Sequence, residues 1–341
     1  MRVCFISGEY KPGICGISDY IKLLTQKFEH LGHEVEKYHI NQASTLPKVF
    51  EDLPTADIYS VQFAPYFFSP SGLSGVRLHN LANLLLEKTV HVNFHEIWIG
   101  AYRSASWKER FTGWRQRREI LKFLESLNPI AVTCSNSAIL DRLDNQGINA
   151  RYLYMFGNIP FCECSSGSRS EFLQVVIFGT PYENFPYDEL AARLKQISEL
   201  LKKKVHMRVV GLQRNSLGLN KIQKFSKDLN FVFSESGELT SNSISKELQE
   251  SDIGISTTPF DIIGKSGAAT AVLEHGLPII GFDDGDTPNE KLFVFEEFEN
   301  QIFLLNDRKM NERLILFLKR NRKTFFDGVA HTANEMLSFL N

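Results

Sequence analysis

Short apolar runs of strand-forming residues alternate with helical patterns along this chain, and the alternation runs twice. In the first half, residues 3–6, 35–40, 57–63, 90–94, 130–133 and 151–156 read as strands. Between them, residues 18–31 place Tyr20, Ile21, Leu24, Phe28 and Leu31 at helical spacing and stop at Gly32. Residues 77–87 and 139–146 are further helices, the latter ending at Gly147. Gly157-Asn158-Ile159-Pro160 breaks the pattern, and a Ser-, Gly- and Cys-rich stretch over 162–170 suits an exposed linker. The alternation then restarts. Strands are expected at 174–179, 206–211, 231–233, 252–256 and 278–282, with helices at 190–201, 243–250 and 267–275. Capping side chains stand at Ser241-Asn242-Ser243, a stop at Gly276, and one or two helices close the chain from about 310 to 340. Strands alternating with helices argue for parallel sheets covered on both faces, so the expectation is α/β: two doubly wound, Rossmann-like domains. The expected domains are 1–158 and 173–322, a linker at 159–172 and a C-terminal helix at 323–341 that returns to the first domain. Two such domains imply a cleft between them. Ligands bind beyond the C-terminal ends of the strands of such sheets. That points to residues 7–17, 64–72, 94–106, 179–186, 211–219, 234–240, 257–267 and 283–289.

Composition narrows the function classes. The 341 residues are 43% hydrophobic and 23% charged, an ordinary globular balance. A net charge of −2 gives no bulk field toward nucleic acid, and no nucleic-acid partner is expected. Five cysteines, at 4, 15, 134, 162 and 164, do not form a disulfide framework and suit a reducing compartment. Cys162 and Cys164 make only a CxC with no second ligand cluster, so no metal is expected. The first residues lack a signal-peptide pattern and no apolar run is long enough to span a bilayer. The expected location is the cytoplasm, with surface contact to the inner face of a membrane as an added option.

Several loops carry chemistry. Gly13 and Gly16 precede a helix, where glycines let a backbone approach a ligand and free N–H groups favour an anion. A tight turn explains them equally, and the spacing does not fit a dinucleotide fingerprint. Gly264-Lys265-Ser266 has the end of a phosphate loop, but Pro259 stands where that motif needs glycine. Lys265 beside the helix start at Ser266–Gly267 is still well placed for a diphosphate; the plain alternative is a surface lysine next to a capping serine. Glu274, eight residues on, reads as a ribose acceptor or as a solvent-facing helical residue. His95 and Glu96 follow a strand directly, where a histidine can bond a sugar or a phosphate, or only a turn. Residues 107–118 interleave Trp107, Phe111 and Trp114 with Lys108, Arg110, Arg115, Arg117 and Arg118. Such a helix lies on an anionic membrane or presents a solvated face.

Together these residues resemble the GT-B glycosyltransferases, most closely the retaining enzymes of glycosyltransferase family 4, over nearly the whole chain. The stretch from Gly13 to Tyr20 is similar to the family's glycine-rich loop, Phe94-His95-Glu96 to its strand-end histidine, and Gly157–Pro160 to its crossover. The run from Ser251 through Ile280 is similar to its donor-binding signature. Glu274 matches the signature's second glutamate, which in the family contacts ribose; Ser266 stands in place of the first, which contacts the donor sugar. The family's Arg and Lys after the first strand of the C-terminal domain are missing from Gly179-Thr180-Pro181-Tyr182-Glu183-Asn184-Phe185; Lys265, with Arg214 second, is the candidate replacement. The resemblance implies transfer of a hexose with retention from a nucleotide-sugar, a UDP-sugar first. The acceptor would be a saccharide or lipid-linked saccharide in surface polysaccharide or glycoconjugate synthesis. It implies no cofactor beyond that co-substrate. Lys265, Ser266, Gly267 and the Gly13–Gly16 loop would hold the diphosphate. Backbone near Gly237 and Leu239 would hold the base, His95 would contribute to catalysis, and Trp107, Trp114, Arg115 and Arg118 would wall the acceptor or membrane side. A sugar-nucleotide isomerase of the same fold and a non-catalytic nucleotide-binding partner are the competing classes.

Overall fold

A computed structural model of the chain describes residues 1–8, 11–12, 15–40, 53–163, 171–211, 216–285, 296–320 and 324–340. In chain order the elements begin β1 (Arg2–Ser7), α1 (Gly16–His30), β2 (Glu34–His39), β3 (Ile58–Phe63), α2 (Pro65–Phe68) and α3 (Gly75–Leu84). Next come β4 (Val90–Phe94), α4 (Trp107–Leu127), β5 (Ala131–Cys134), α5 (Ser137–Asp144) and β6 (Ala150–Tyr152). The series continues with β7 (Phe172–Phe178), α6 (Tyr187–Leu201), β8 (Lys204–Val210), α7 (Ser216–Asp228), β9 (Val232–Glu235), α8 (Ser241–Gln249) and β10 (Ile253–Ile255). It closes with a 3₁₀ turn (Phe260–Lys265), α9 (Gly267–Glu274), β11 (Ile279–Gly281), β12 (Ile302–Leu304), α10 (Met310–Arg320) and α11 (Gly328–Leu340).

The chain divides into two compact units. The first takes in Met1–Met155, the turn at Gly285 and Val329–Asn341; the second takes in Phe156–Asp284 and Val294–Gly328. Each holds a six-stranded sheet whose pairs are all parallel, in the orders β2-β1-β3-β4-β5-β6 and β12-β11-β10-β7-β8-β9. The strand order reverses between β1 and β3 in one unit and between β7 and β10 in the other. Those are the points where a doubly wound sheet opens a crevice above its C-terminal edge.

In the first unit Val61 and Phe63 of β3 and Val92 and Phe94 of β4 join Phe68, Leu81, Ile120 and Phe123 of the helices in one buried cluster. In the second, Val175, Ile177, Val205, Met207, Val209, Ile253 and Ile255 pack with Leu190, Leu194 and Ile197 of α6 and Leu314 of α10. Each such side chain contributes about 1.5–3 kcal/mol by leaving water. The C-terminal helix belongs to the first unit, where Thr332 Oγ1 donates to the Tyr154 carbonyl at 2.8 Å and His331 meets the Tyr154 ring edge-on.

Several boundaries shift by a few residues from the sequence expectation, and two of the differences have a visible cause. Thr240, not Ser241–Ser243, caps α8: its hydroxyl accepts the Ser243 N–H at 3.2 Å. The last strand of the first sheet pairs only over Ala150–Tyr152, and the apolar residues 153–156 that lengthened it in the sequence are buried beyond the ladder.

Candidate active site

The second unit's site residues gather where its strand order reverses. Lys265 ends the 3₁₀ turn Phe260–Lys265, and Ser266 caps α9, its hydroxyl accepting the Ala269 N–H at 3.2 Å. Lys265, Ser266, Gly267 and Ala268 are all half-buried, so the head of the helix is reachable. A helix leaves its first N–H groups without intrahelical partners and carries partial positive charge there. Those of Gly267 and Ala268 head α9, which Lys265 directly precedes through the capping Ser266. The neighbouring strands leave room: β7, β8 and β9 run out through Gly179, Gly211 and Gly237 at φ of 93°, 108° and 63°, a region that favours glycine. The Gly211 N–H bonds the Gly237 carbonyl at 3.1 Å, and a Cβ on Gly179 would lie 3.2 Å from that of Ala268. Gly237 and Leu239 are half-buried on the β9 side of this backbone platform. Thr257 ties the two diverging loops together: its Oγ1 donates to the Thr180 carbonyl at 2.7 Å and accepts the Tyr182 N–H at 3.2 Å.

Glu274 sits at the other end of α9, about 10 Å from its head. The side chain is buried, and Oε1 accepts the Gly157 N–H at 3.0 Å, so it is not the solvent-facing residue that was the plain alternative. The crossover is pinned at further points. The Asn158 N–H donates to the Gly267 carbonyl at 3.3 Å, and the Cys162 N–H to Ser245 Oγ at 3.0 Å. Ser245 in turn meets His275 Nε2 at 2.8 Å. Asp261 lies on the turn before Lys265, and its carboxyl is raised above the usual range by burial first and then by Asp284 and Asp283. The sequence reading passed over these acids; Asp283-Asp284 directly after a buried strand was the available signal. Gly13 and Arg214 lie outside the described residues.

In the first unit Gly16 is exposed at the first position of α1. Ser18 Oγ accepts the Lys11 N–H at 3.0 Å. His95 follows β4 and is buried, with Tyr20 edge-on at 5.0 Å. Its Nε2 lies 2.8 Å from Gln62 Oε1. Beneath it the sheet carries polar side chains on one face: Ser60 and Gln62 of β3, His91 and Asn93 of β4, and Thr133 of β5, all buried. Gln62 Nε2 donates to Ser60 Oγ (2.8 Å), Thr133 Oγ1 to Asn93 Oδ1 (2.9 Å), and Asn93 Nδ2 to Gln62 Oε1 (3.1 Å). His91 bridges Ser60 through Nδ1 and Thr133 through Nε2, each at 2.9 Å, and burial lowers its pKa to about 3, so the ring is neutral. None of these five was singled out in the sequence, although Ser60/Gln62 and His91/Asn93 alternate with apolar residues at the strand period.

α4 stands over the loops of this unit. Ser106 and Glu109 form a capping box, and the Tyr102 hydroxyl also donates to Glu109, which together hold that carboxyl below its usual range. Gln116 accepts the Ile99 N–H at 2.9 Å and donates to the Gly72 carbonyl at 3.1 Å. Gly113 is a close approach, since a Cβ there would sit 1.9 Å from the Ile99 carbonyl oxygen. The opposite face presents Trp107 (74% exposed), Phe111 (57%) and Trp114 (44%). Phe111 stacks on Trp114, Arg118 lies 4.9 Å over the Trp114 ring, and Arg115 is exposed beside them. No group of three or more potential metal ligands gathers among the described residues.

No family model matches the sequence, and no curated protein matches it. Solved structures do match over nearly the full length. HepE of Anabaena, in complex with UDP and glucose, is 14% identical, with 99% of this chain and 95% of that chain covered and a TM-score of 0.53. WaaG, a glycosyltransferase involved in lipopolysaccharide biosynthesis, is 14% identical over 97% and 95%, with a TM-score of 0.51. A putative UDP-N-acetylglucosamine 2-epimerase from Listeria monocytogenes is 12% identical over 99% and 95%, with a TM-score of 0.55. The chain has the GT-B fold. At such identities the likeness reaches the fold alone, and a GT-B fold that serves transferases and an epimerase leaves function to the site.

Proposed function

We propose that this GT-B protein is a glycosyltransferase that moves a hexose from a nucleotide-sugar, UDP-sugars first, to a saccharide or lipid-linked saccharide, with retention. The observation that carries the reading is the head of α9. Helix N–H groups and Lys265 meet beside the point where the strand order of the second unit reverses, next to a side-chain-free platform at Gly179, Gly211 and Gly237. Positive groups fixed in place there would stabilise the charge that develops on a departing diphosphate. Asp261, on the same turn, suits sugar hydroxyls rather than phosphate. Ser266, committed to its capping bond, offers no carboxylate to the sugar. The exposed aromatic and basic stripe of α4 fits a membrane-borne acceptor in surface polysaccharide or glycoconjugate synthesis at the inner face of a membrane.

Thermal shift against UDP-, GDP-, TDP- and ADP-sugars tests this. One nucleotide class at a hundred times its dissociation constant should add about 2.7 kcal/mol of stability. Lys265→Ala should weaken that ligand about tenfold, the cost of one charge-assisted contact. Absence of stabilisation by every donor overturns the proposal. A second reading, a sugar-nucleotide isomerase, draws on the epimerase that shares the fold; it predicts conversion of the donor sugar with no acceptor present.

A further inference from the structure

The chain enters the second unit along α9. Gly157 packs on the middle of the helix, where a Cβ would lie 2.5 Å from the Ala271 Cα. Its N–H goes to Glu274 Oε1, and the next N–H, that of Asn158, donates to the Gly267 carbonyl at 3.3 Å. This brings the Asn158 side chain to the head of α9: a Cβ on Gly267 would lie 3.5 Å from both its Cβ and its Cγ. All of these residues belong to the second unit. Asn158 is half-buried, and its Oδ1 is closed off from solvent with no hydrogen-bond partner among the described residues. A buried amide oxygen left in this way costs stability and calls for a cause.

The backbone supplies none. Asparagine suits a turn for two reasons. It tolerates the left-handed region, but φ at Asn158 is not positive. It also closes a turn by accepting the N–H two residues on, and here that residue is Pro160, which has no N–H. The path of the chain therefore makes no use of the amide. We propose that Asn158 is a binding residue of the α9 site, whose amide holds hydroxyls of the sugar that the nucleotide carries. The head of the helix has two sides. Ala268 faces the glycine platform, with its Cβ 3.2 Å from where one on Gly179 would lie, and Gly267 faces Asn158. A nucleotide-sugar whose diphosphate lies over the head puts a ring on each side. The side-chain-free platform has room for the nucleoside, so the sugar falls on the side of Asn158. A hydroxyl both gives and takes a hydrogen bond, and so does a primary amide, whichever way its oxygen and nitrogen are turned. The last torsion of an asparagine side chain is broad, so the amide turns its oxygen toward a ligand without leaving its rotamer. Phosphate oxygens only accept and would leave Oδ1 unpaired. The identity of the ligand rests on the glycosyltransferase reading; the missing role of the amide in the fold does not.

Asn158→Ala in the full chain tests both halves. With no ligand, its midpoint in urea should equal or exceed that of the wild type, because an unpaired buried atom leaves with the side chain. A lower midpoint, or a variant that does not fold, makes the amide a partner within the fold and overturns the proposal. With ligand, titration calorimetry compares UDP-, GDP-, TDP- and ADP-glucose, each with its free nucleoside diphosphate. The glucose ester that the wild type binds should bind Asn158→Ala about tenfold more weakly, one hydrogen bond's worth, and the free diphosphate should bind equally well. Unchanged affinity for the ester overturns the proposal and leaves the glycosyltransferase reading standing. Equal loss for ester and free diphosphate puts the amide on the nucleotide and overturns the sugar assignment. A wild type that binds none of these ligands removes that reading and this proposal together.

Discussion

Glu274 Oε1 takes the Gly157 N–H inside the second unit, and the Glu274 carbonyl takes the Phe326 N–H at 2.9 Å. Both bonds fall close to places where the chain passes from one unit to the other, at Phe156 and Gly328. A ribose contact at this residue would be shared with the bond to Gly157. Glu274→Ala leaves a buried N–H unpaired and should cost about 1–3 kcal/mol in urea denaturation. Glu274→Gln keeps an acceptor and should cost less than half of that. Equal stability of both variants and the wild type would show that the bond carries no stability. Residue identity was legible in part. Lys265 beside a capping Ser266 followed from a strand, a loop and a serine before a helical run. The circuit under His95 was not read, because polar residues inside short strands look like interruptions until the register pairs Ser60 with His91 and Asn93 with Thr133.

At the scale of elements, the alternation of strand and helix was read because buried parallel strands appear as apolar runs and surface helices as periodic ones. Elements without that contrast were missed. β12 is three residues long, and α7 carries Gly218, required because the Pro181 carbonyl oxygen would lie 2.0 Å from a Cβ there. α4 shows the reverse case, a helix with large aromatic residues on its exposed side as well as apolar ones on its buried side. Trp107, Phe111, Trp114 and Arg118 recur after four, seven and eleven residues and so form one stripe, while Gly113 and Gln116 hold the other face to the loops. The stripe is thus a fixed surface, not a frayed end. It should bind vesicles containing anionic lipid and release them as salt rises. Trp107→Ala with Trp114→Ala should reduce co-sedimentation about tenfold or more. Replacing Arg115 and Arg118 by Gln should remove the preference for anionic over neutral lipid. Sedimentation unaffected by both sets of changes would leave the stripe to a protein or saccharide partner.

Over the whole molecule, the two units share an architecture, and each buries a histidine: His91 in the first and His275 in the second. The His91 pKa lies at about 3 in the folded first unit, against an ordinary 6.5 when unfolded. Between those values the unfolded chain binds a proton that the folded one refuses, so stability is full above pH 6.5 and is lost as pH falls toward 3. By pH 5 the loss attributable to His91 should be about 2 kcal/mol. His39, exposed on the edge strand β2, is lowered too and adds a smaller share with the same sign. Glu335 opposes it: burial raises its carboxyl, so its contribution is present below its unfolded value and fades as pH rises. In the second unit His206 is lowered as well, but it is only half-buried and meets Ser234 at 2.8 Å at the sheet edge, so its share is smaller. All three tryptophans, Trp98, Trp107 and Trp114, lie in the first unit, so their fluorescence follows that unit's unfolding selectively. Denaturation followed by tryptophan emission should therefore weaken between pH 7 and pH 5. His91→Gln cannot take the proton. It should be less stable than the wild type at pH 7, where the circuit is broken, yet lose less on going to pH 5. If the variant and the wild type lose stability in parallel, the acid sensitivity of the first unit lies outside the circuit.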